Sequence, residues 1–109
     1  KAPFDFNKFD PGTKVFRPID DESKIVEIGR GISPVNHVSS DDPPTLIFHG
    51  DADQLVPIQQ AELIIDKLKA AGVDAKLVVK KGASHGWPDL RQDIAVLADW
   101  FDAHLKPKQ

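Results

Sequence analysis

Two short apolar runs define the second half of the chain. Thr45–His49 carries apolar residues on both alternating sides, which predicts a strand buried on both faces in a parallel sheet, and Ala75–Val79 predicts a second strand. Between them, Ile58–Ala71 has apolar residues at helical spacing, and Gly72 stands where helices commonly end. The predicted apolar stripe of this helix comprises Ala61, Ile64, Ile65, Leu68 and Ala71. A strand, a helix and a second strand joined by short loops predict a right-handed βαβ unit.

A final amphipathic helix is predicted over Asp89–Leu105. Asp89 and Gln92 have the spacing of a capping box at its start. Its apolar stripe comprises Ile94, Leu97, Ala98, Phe101 and Leu105. The predicted fold class is therefore α/β, with parallel strands flanked by helices. Residues 32–109 are predicted to form a βαβα unit with an incomplete sheet, which the family resemblance described below implies to be the C-terminal portion of its domain.

The first 31 residues are harder to assign. Four phenylalanines are spaced unevenly among charges, and Asp10–Thr13 is a turn signal, so a short hairpin and an irregular insert both remain open. Asp20–Arg30 has acidic residues followed by apolar ones, which predicts a short helix. Residues 1–31 are therefore predicted to form an insert or connecting segment that contains this helix.

Composition and charge exclude several classes of function. Of the 109 residues, 40% are hydrophobic and 28% are charged, with a net charge of −3, so nothing favours nucleic acid binding. There is no cysteine, which excludes disulfides and thiolate metal sites but leaves the compartment undecided. No apolar run approaches the roughly 18 residues of a membrane span. The chain begins with Lys1 and has no methionine, so we expect its N-terminus to result from cleavage or processing of a longer protein.

An acid and a histidine follow the two predicted strands. The first strand leads into HGDADQLVP, His49–Pro57, and the second leads into GASHGW, Gly82–Trp87. Parallel strands point the same way, so both loops emerge at the edge of the sheet where open α/β folds collect their functional groups. We therefore expect Asp53 and His85 to lie within hydrogen-bond reach. A carboxylate in that position holds an imidazole in the tautomer that a general base needs.

Alternative assignments exist for these residues. Asp51 lies two residues nearer the strand and is the alternative acid, while Asp53 could instead cap the next helix and His85 could be a plain loop histidine. Asp51, Asp53 and His85 could together bind a metal ion, but no second histidine is well placed. No metal and no cofactor is predicted.

Five other residues near the two motifs or elsewhere in the chain are assigned as follows. His49 ends a buried strand and is predicted to be structural, and His37 and His104 are predicted to be loop and surface residues. Ser84 is not a nucleophile candidate, because it lacks the strand-to-helix elbow that exposes a catalytic hydroxyl. Trp87 either lines the mouth of a pocket or anchors the last helix.

These motifs resemble the α/β-hydrolase family, especially its esterase, acyl-hydrolase and prolyl oligopeptidase-like branches. The last two strands of those proteins carry patterns like H-G-x-x-D-x-x-V-P and G-x-x-H-G. The resemblance covers Ile32–Leu105 and implies the acid role for Asp53 and the base role for His85. It supplies no nucleophile: we expect the chain to lack the G-x-S-x-G motif, which in that fold precedes the acid and the histidine.

The resemblance implies that the chain is the C-terminal fragment of a serine hydrolase. The parent is expected to hydrolyse a small-molecule carboxylic ester through an acyl-enzyme, and the chain alone is expected to be inactive. A serine peptidase or other amide hydrolase of the prolyl oligopeptidase-like branch is one alternative, and a non-catalytic relic or binding module is another. Because its sheet is incomplete, we expect the chain to form a homo-oligomer or to associate with its own N-terminal half.

Overall fold

The computed structural model describes residues 6–88 and 90–106. The chain divides into two compact units, residues 1–37 and residues 38–109. The domain boundary predicted between residues 31 and 32 stays a prediction.

An antiparallel hairpin begins the N-terminal unit. Strand β1, Asn7–Asp10, pairs with strand β2, Val15–Pro18. At the turn, Asp10 Oδ1 accepts hydrogen bonds from the backbone N–H groups of Gly12 at 2.9 Å and Thr13 at 3.3 Å. Short Asp side chains favour such turns because they can replace a backbone acceptor. Of the two structures left open by the sequence, this segment forms the hairpin.

Helix α1, Glu22–Ile32, follows the hairpin. Its N-cap is Asp21, whose Oδ1 accepts from the N–H groups of Ser23 and Lys24, so the helix begins two residues later than predicted. A 3-10 turn, Pro34–Asn36, comes next. The last helical carbonyls bond to side chains from this turn: Asn36 Nδ2 donates to Arg30 O, and His37 Nε2 lies 2.6 Å from Gly31 O. These bonds satisfy acceptors that a helix end otherwise leaves to water.

The C-terminal unit is built on a parallel strand pair. Strand β3, Thr45–Gly50, pairs with strand β4, Ala75–Lys80, in a register that sets Thr45 opposite Ala75. Helix α2, Gln59–Ala70, connects them, as the sequence predicts. The residues Thr45–His49 are half-buried, not fully buried as expected, because β4 is the one strand that pairs with β3 in the described part of the chain.

Helix α2 ends as its glycine predicts. Gly72 has a φ of 82°, the N–H of Val73 bonds to Leu68 O at 3.0 Å, and the N–H of Gly72 bonds to Lys69 O at 3.0 Å. This pair of bonds is a Schellman motif, and its usual apolar contact is present because Leu68 and Val73 belong to the same core cluster. The core of the unit consists of Ile65, Leu68, Val73 and Ala75. Burial of Ala61, Ile65 and Leu68 confirms the predicted stripe of α2.

Helix α3, Arg91–Leu105, closes the unit. The predicted start at Asp89, and with it the predicted capping box, lies outside the described residues. The predicted apolar stripe is on the helix, but much of it is exposed, with Phe101 56% and Leu105 73% accessible, because no described element covers that face. The buried residue of α3 is instead Asp93. Across the described ranges, no helix has the length and apolarity needed to cross a membrane.

Candidate active site

Two loops leave the carboxyl ends of β3 and β4 side by side. We call Asp51–Pro57 the acid loop and Lys81–Gly86 the histidine loop. Between them, His85 Nδ1 lies 2.9 Å from Asp53 Oδ2. The two residues expected to meet are therefore in hydrogen-bond contact, and this contact defines the candidate site.

The carboxylate of Asp53 is held by its own loop. Its Oδ1 accepts hydrogen bonds from the backbone N–H groups of Leu55 and Val56, both at 2.9 Å, and its side chain is 3% exposed. The Val56 N–H above all, together with His85 and the Leu55 N–H, outweighs the effect of burial and lowers the pKa of Asp53 to about 2. Asp53 is therefore an anion throughout the neutral pH range.

The ring of His85 has one engaged nitrogen and one open nitrogen. Because Asp53 is an acceptor, Nδ1 carries the proton of the neutral ring. The side chain is 60% exposed, and within the described part of the chain no residue hydrogen-bonds to Nε2. In this tautomer the lone pair of Nε2 faces outward and can accept a proton.

Asp51, the alternative acid, has a different contact. Its Oδ1 accepts a hydrogen bond of 2.6 Å from the backbone N–H of Gly82, at the start of the histidine loop. Beside it, the N–H of Ala52 donates to Ala83 O at 3.0 Å. These two bonds join the loops to each other, and neither involves His85. No cluster of three or more metal-binding side chains occurs in the described ranges.

The backbone of Gly50 also packs closely against the backbone of the histidine loop. A Cβ at position 50 would lie 2.2 Å from Ala83 O and 2.3 Å from Ser84 O, both backbone atoms that no side-chain rotation can move away. Only glycine fits there. Sequence reasoning did not single out Gly50, although its place directly before the acid loop is the signal that could have found it.

His49 lies closer to the acid than its structural assignment implied. Its Nε2 is 2.8 Å from Val56 O and 3.3 Å from Asp53 Oδ2, and the side chain is largely buried. A carbonyl accepts only, so Nε2 carries a proton and donates to Val56. His49 thereby supports the residue whose N–H bonds Asp53.

Ser84 lies within a sequence that matches the nucleophile motif. Residues 82–86 read G-A-S-H-G, which fits G-x-S-x-G, so the expectation that the chain lacks this motif is wrong. The elbow itself is absent from this loop, because the next helix begins only at Arg91. The Ser84 hydroxyl makes a long hydrogen bond of 3.4 Å to Gly86 O. The loop therefore does not have the strand-to-helix turn that activates a serine.

Trp87 contacts the last helix. Its Nε1–H donates to Asp93 Oδ2 at 2.6 Å, and Asp93 Oδ1 also lies 2.7 Å from Lys80 Nζ. Of the two roles left open for Trp87, the anchor to α3 has a direct contact. Asp93 was missed by sequence reasoning, and its place in the first turn of a helix was its only signal.

The two remaining histidines differ. His37 is exposed, as predicted. His104 was predicted to be a surface residue, but it is mostly buried: Nε2 lies 2.8 Å from Asp74 Oδ2 and Nδ1 lies 2.7 Å from Trp100 O. The prediction failed because Asp74 lies 30 residues away in the chain.

Parallel strands whose ends present a carboxylate bonded to an imidazole are typical of the α/β-hydrolase superfamily, and solved esterases of that superfamily match this chain. The family model of the prolyl oligopeptidase family matches residues 17–108. The chain therefore belongs to the prolyl oligopeptidase family.

The relatives include both peptidases and esterases. The uncharacterized peptidase YuxL of Bacillus subtilis (strain 168) is 38% identical over 79 residues, which are 67% of this chain and 12% of that protein. The probable carboxylic ester hydrolase LipM of Mycobacterium tuberculosis (strain ATCC 25618 / H37Rv) is 51% identical over 37 residues, 34% of this chain and 9% of that protein.

The solved structures that match include an esterase. Est2 of Thermogutta terrifontis with bound propionate is 33% identical, with a TM-score of 0.64, and the match covers 83% of this chain and 38% of that one. The chain thus spans well under half the length of each of these three proteins.

Proposed function

We propose that this chain supplies the acid and the base of a catalytic triad in a larger serine hydrolase. The observation that carries the proposal is the 2.9 Å hydrogen bond between His85 Nδ1 and an ionised Asp53 at the ends of neighbouring parallel strands. The nucleophilic serine and the oxyanion hole would come from a part of the protein that this chain does not contain. The small share of each relative that the chain spans supports this division.

The proposed reaction uses His85 twice. Its Nε2 takes the proton of the serine hydroxyl as the oxygen attacks the carbonyl carbon, and then gives that proton to the leaving group, so that an acyl-enzyme forms. Water repeats the cycle and releases the acid. Asp53 keeps the ring in the Nδ1–H tautomer and stabilises the imidazolium, and its low pKa keeps it ionised in both steps.

We infer a carboxylic ester as the substrate class. The names of LipM and Est2 support this inference, and the Est2 structure holds propionate, a short carboxylate. The test is ester hydrolysis by the full-length protein, with His85→Ala as the comparison. Turnover of short p-nitrophenyl esters that is lost in His85→Ala supports the proposal. Full activity in His85→Ala would contradict it.

An amide hydrolase is the second candidate. The peptidase name of YuxL and the matching family model favour it. Both reactions use the same acid and base, so the site itself does not distinguish an esterase from a peptidase. Assays with the same acyl group as a p-nitrophenyl ester and as a p-nitroanilide distinguish them, because a peptidase retains substantial turnover of the anilide. A non-catalytic binding module is the outcome if neither substrate turns over and no serine in the full-length protein reacts with a fluorophosphonate.

We also propose a protein partner for the isolated chain. The exposed apolar side chains of α3, and the edge of β3 that no strand of residues 6–88 and 90–106 pairs with, favour association, either with a second copy or with the N-terminal half of the same protein.

A further inference from the structure

The carboxylate of Asp93 is buried, and both of its oxygens accept hydrogen bonds. Its side chain is 7% exposed, with Oδ1 2.7 Å from Lys80 Nζ and Oδ2 2.6 Å from Trp87 Nε1. The Lys80 ammonium also lies 5.7 Å from the centre of the Trp87 ring, within the range of cation–π attraction. One carboxylate on α3 therefore holds two residues from outside its helix.

These two residues stand at the two ends of the histidine loop. Lys80 is the last residue of β4, and Trp87 directly follows the loop. Asp93 therefore closes the loop into a ring, with His85 two residues before Trp87.

The two halves of the histidine loop are held by different partners. The first half is bonded to the acid loop through Gly82 and Ala83. The half that carries His85 has the bond to Asp53 and, through Trp87, the tie to Asp93. Without the bond from Trp87 to Asp93, the hydrogen bond to Asp53 would be the main contact that holds the imidazole of His85.

Helix capping alone does not account for a buried Asp93. An acidic residue in the first turn of a helix interacts favourably with the helix dipole even when it is exposed. A buried carboxylate is costly unless it is fully partnered, and apolar side chains often replace such groups without loss of stability. Lys80 first, and then Trp87, lower the pKa of Asp93, so it is ionised at neutral pH. The chain retains a buried charge where the two ends of the loop meet.

We propose that Asp93 is a positioning residue for His85: by holding Lys80 and Trp87 it fixes the histidine loop so that Nδ1 stays directed at Asp53. This proposal rests on the proposed function. Asp93 touches no substrate in this scheme, so its loss lowers kcat and leaves KM nearly unchanged. Displacement of a reacting group by about 1 Å can cost on the order of 100-fold in rate.

The experiment compares three variants of the full-length protein. Asp93→Asn keeps the shape of the side chain but replaces one acceptor oxygen by an NH₂ group, which faces Lys80 or Trp87, both of them donors. Trp87→Phe keeps an aromatic ring without the N–H. Asp99→Asn changes an exposed carboxylate on the same helix. We expect kcat to fall roughly 10- to 100-fold in Asp93→Asn and less in Trp87→Phe, with KM within about twofold. Asp99→Asn should match the unmodified protein.

A second measurement reads the imidazole directly. In protein labelled with ¹⁵N-histidine, long-range ¹H–¹⁵N spectra distinguish the two neutral tautomers. With Asp53 as its acceptor, His85 should be in the Nδ1–H form, and Asp93→Asn should shift it toward the Nε2–H form that free imidazole side chains prefer in water.

The outcomes separate this proposal from the proposed function. If Asp93→Asn keeps both kcat and the Nδ1–H tautomer and only lowers Tm, Asp93 is a stabilising residue and the proposal is wrong. If His85→Ala retains full turnover, the proposed function fails, but the tautomer still decides whether Asp93 positions His85. If Asp93→Asn does not fold, the same two measurements on Trp87→Phe decide.

Discussion

The carboxylate of Asp51 bonds the backbone N–H of Gly82, 31 residues further along the chain, at 2.6 Å. Asp51 thus ties the acid loop to the start of the histidine loop, while Asp53 contacts the same loop at His85. Asp51 and Asp53 divide the work of the acid loop: one fixes the distance between the loops, and the other meets the imidazole.

The two acids are predicted to differ sharply in mutational effect. In the full-length protein, Asp53→Asn should lower kcat for ester hydrolysis by roughly 10⁴-fold, because an amide can stabilise the wrong tautomer of His85. Asp51→Asn should cost much less, because the amide oxygen can still accept from Gly82. Steady-state kinetics on both variants check this. A larger loss in Asp51→Asn would mean that the acid has been misassigned.

Gly50→Ala is predicted to destabilise the C-terminal unit. The new methyl group would overlap two backbone carbonyls of the histidine loop, and overpacking of this kind costs about 1–3 kcal/mol or more in the free energy of unfolding. Gly86→Ala is the matched control, since its Cβ would meet no atom within 4 Å. Urea denaturation measures both. Equal midpoints for the two variants would show that the loops can separate without cost.

His104 is predicted to make stability depend on pH. The Asp74 carboxylate, and then the Trp100 carbonyl, raise the pKa of His104 above its ordinary value of 6.5. Stabilisation by the charged ring is therefore complete below pH 6.5 and is lost as the pH rises through the higher pKa of the folded state. The difference in unfolding free energy between the unmodified chain and His104→Gln should shrink as the pH rises from 5 to 9. Asp74→Asn should reduce the same pH dependence, and a constant difference across the range would refute this.

The 109-residue chain alone is predicted to be inactive. It holds the proposed acid and base without a serine on an elbow, and loss of the nucleophile removes most of the rate of a triad enzyme. Hydrolysis of p-nitrophenyl acetate should not exceed that of free imidazole at the same concentration. Time-dependent labelling of the chain by a fluorophosphonate probe would overturn this.

The same chain is predicted to self-associate. Ile94, Phe101 and Leu105 expose apolar surface along α3, and burial of that surface against a second copy lowers the free energy. Light scattering should give a mass above 12.0 kDa at high concentration, and Phe101→Glu should reduce it. A stable, folded monomer at high concentration would argue against association.

The sequence predicted those parts of the fold whose apolar residues are covered locally. Strand β3, helix α2 and strand β4 begin and end within one residue of their predicted bounds, because the stripe of α2 packs on strands that flank it in the chain. The stripe on α3 was placed on the right helix, but periodicity does not say what covers a face.

The residues of the candidate site that belong to a sequence motif could be predicted. Those whose role depends on a tertiary contact could not. Asp53 and His85 follow strands, so topology brings them together. Gly50 matters because of carbonyls at Ala83 and Ser84, and Asp93 is buried because Lys80 and Trp87 bond it. These contacts depend on the path of the folded backbone, which no local pattern encodes.

The two oxygens of Asp53 have separate partners, and one of them is satisfied entirely within four consecutive residues. Since Leu55 and Val56 hold Oδ1, the orientation of Oδ2 is fixed without any hydrogen bond from the histidine loop. The orientation of the Asp53 carboxylate is thus set by the turn that contains it and does not depend on the histidine loop. Transplanted together with His49 to the end of another parallel strand, such a turn should present Oδ2 at the same angle.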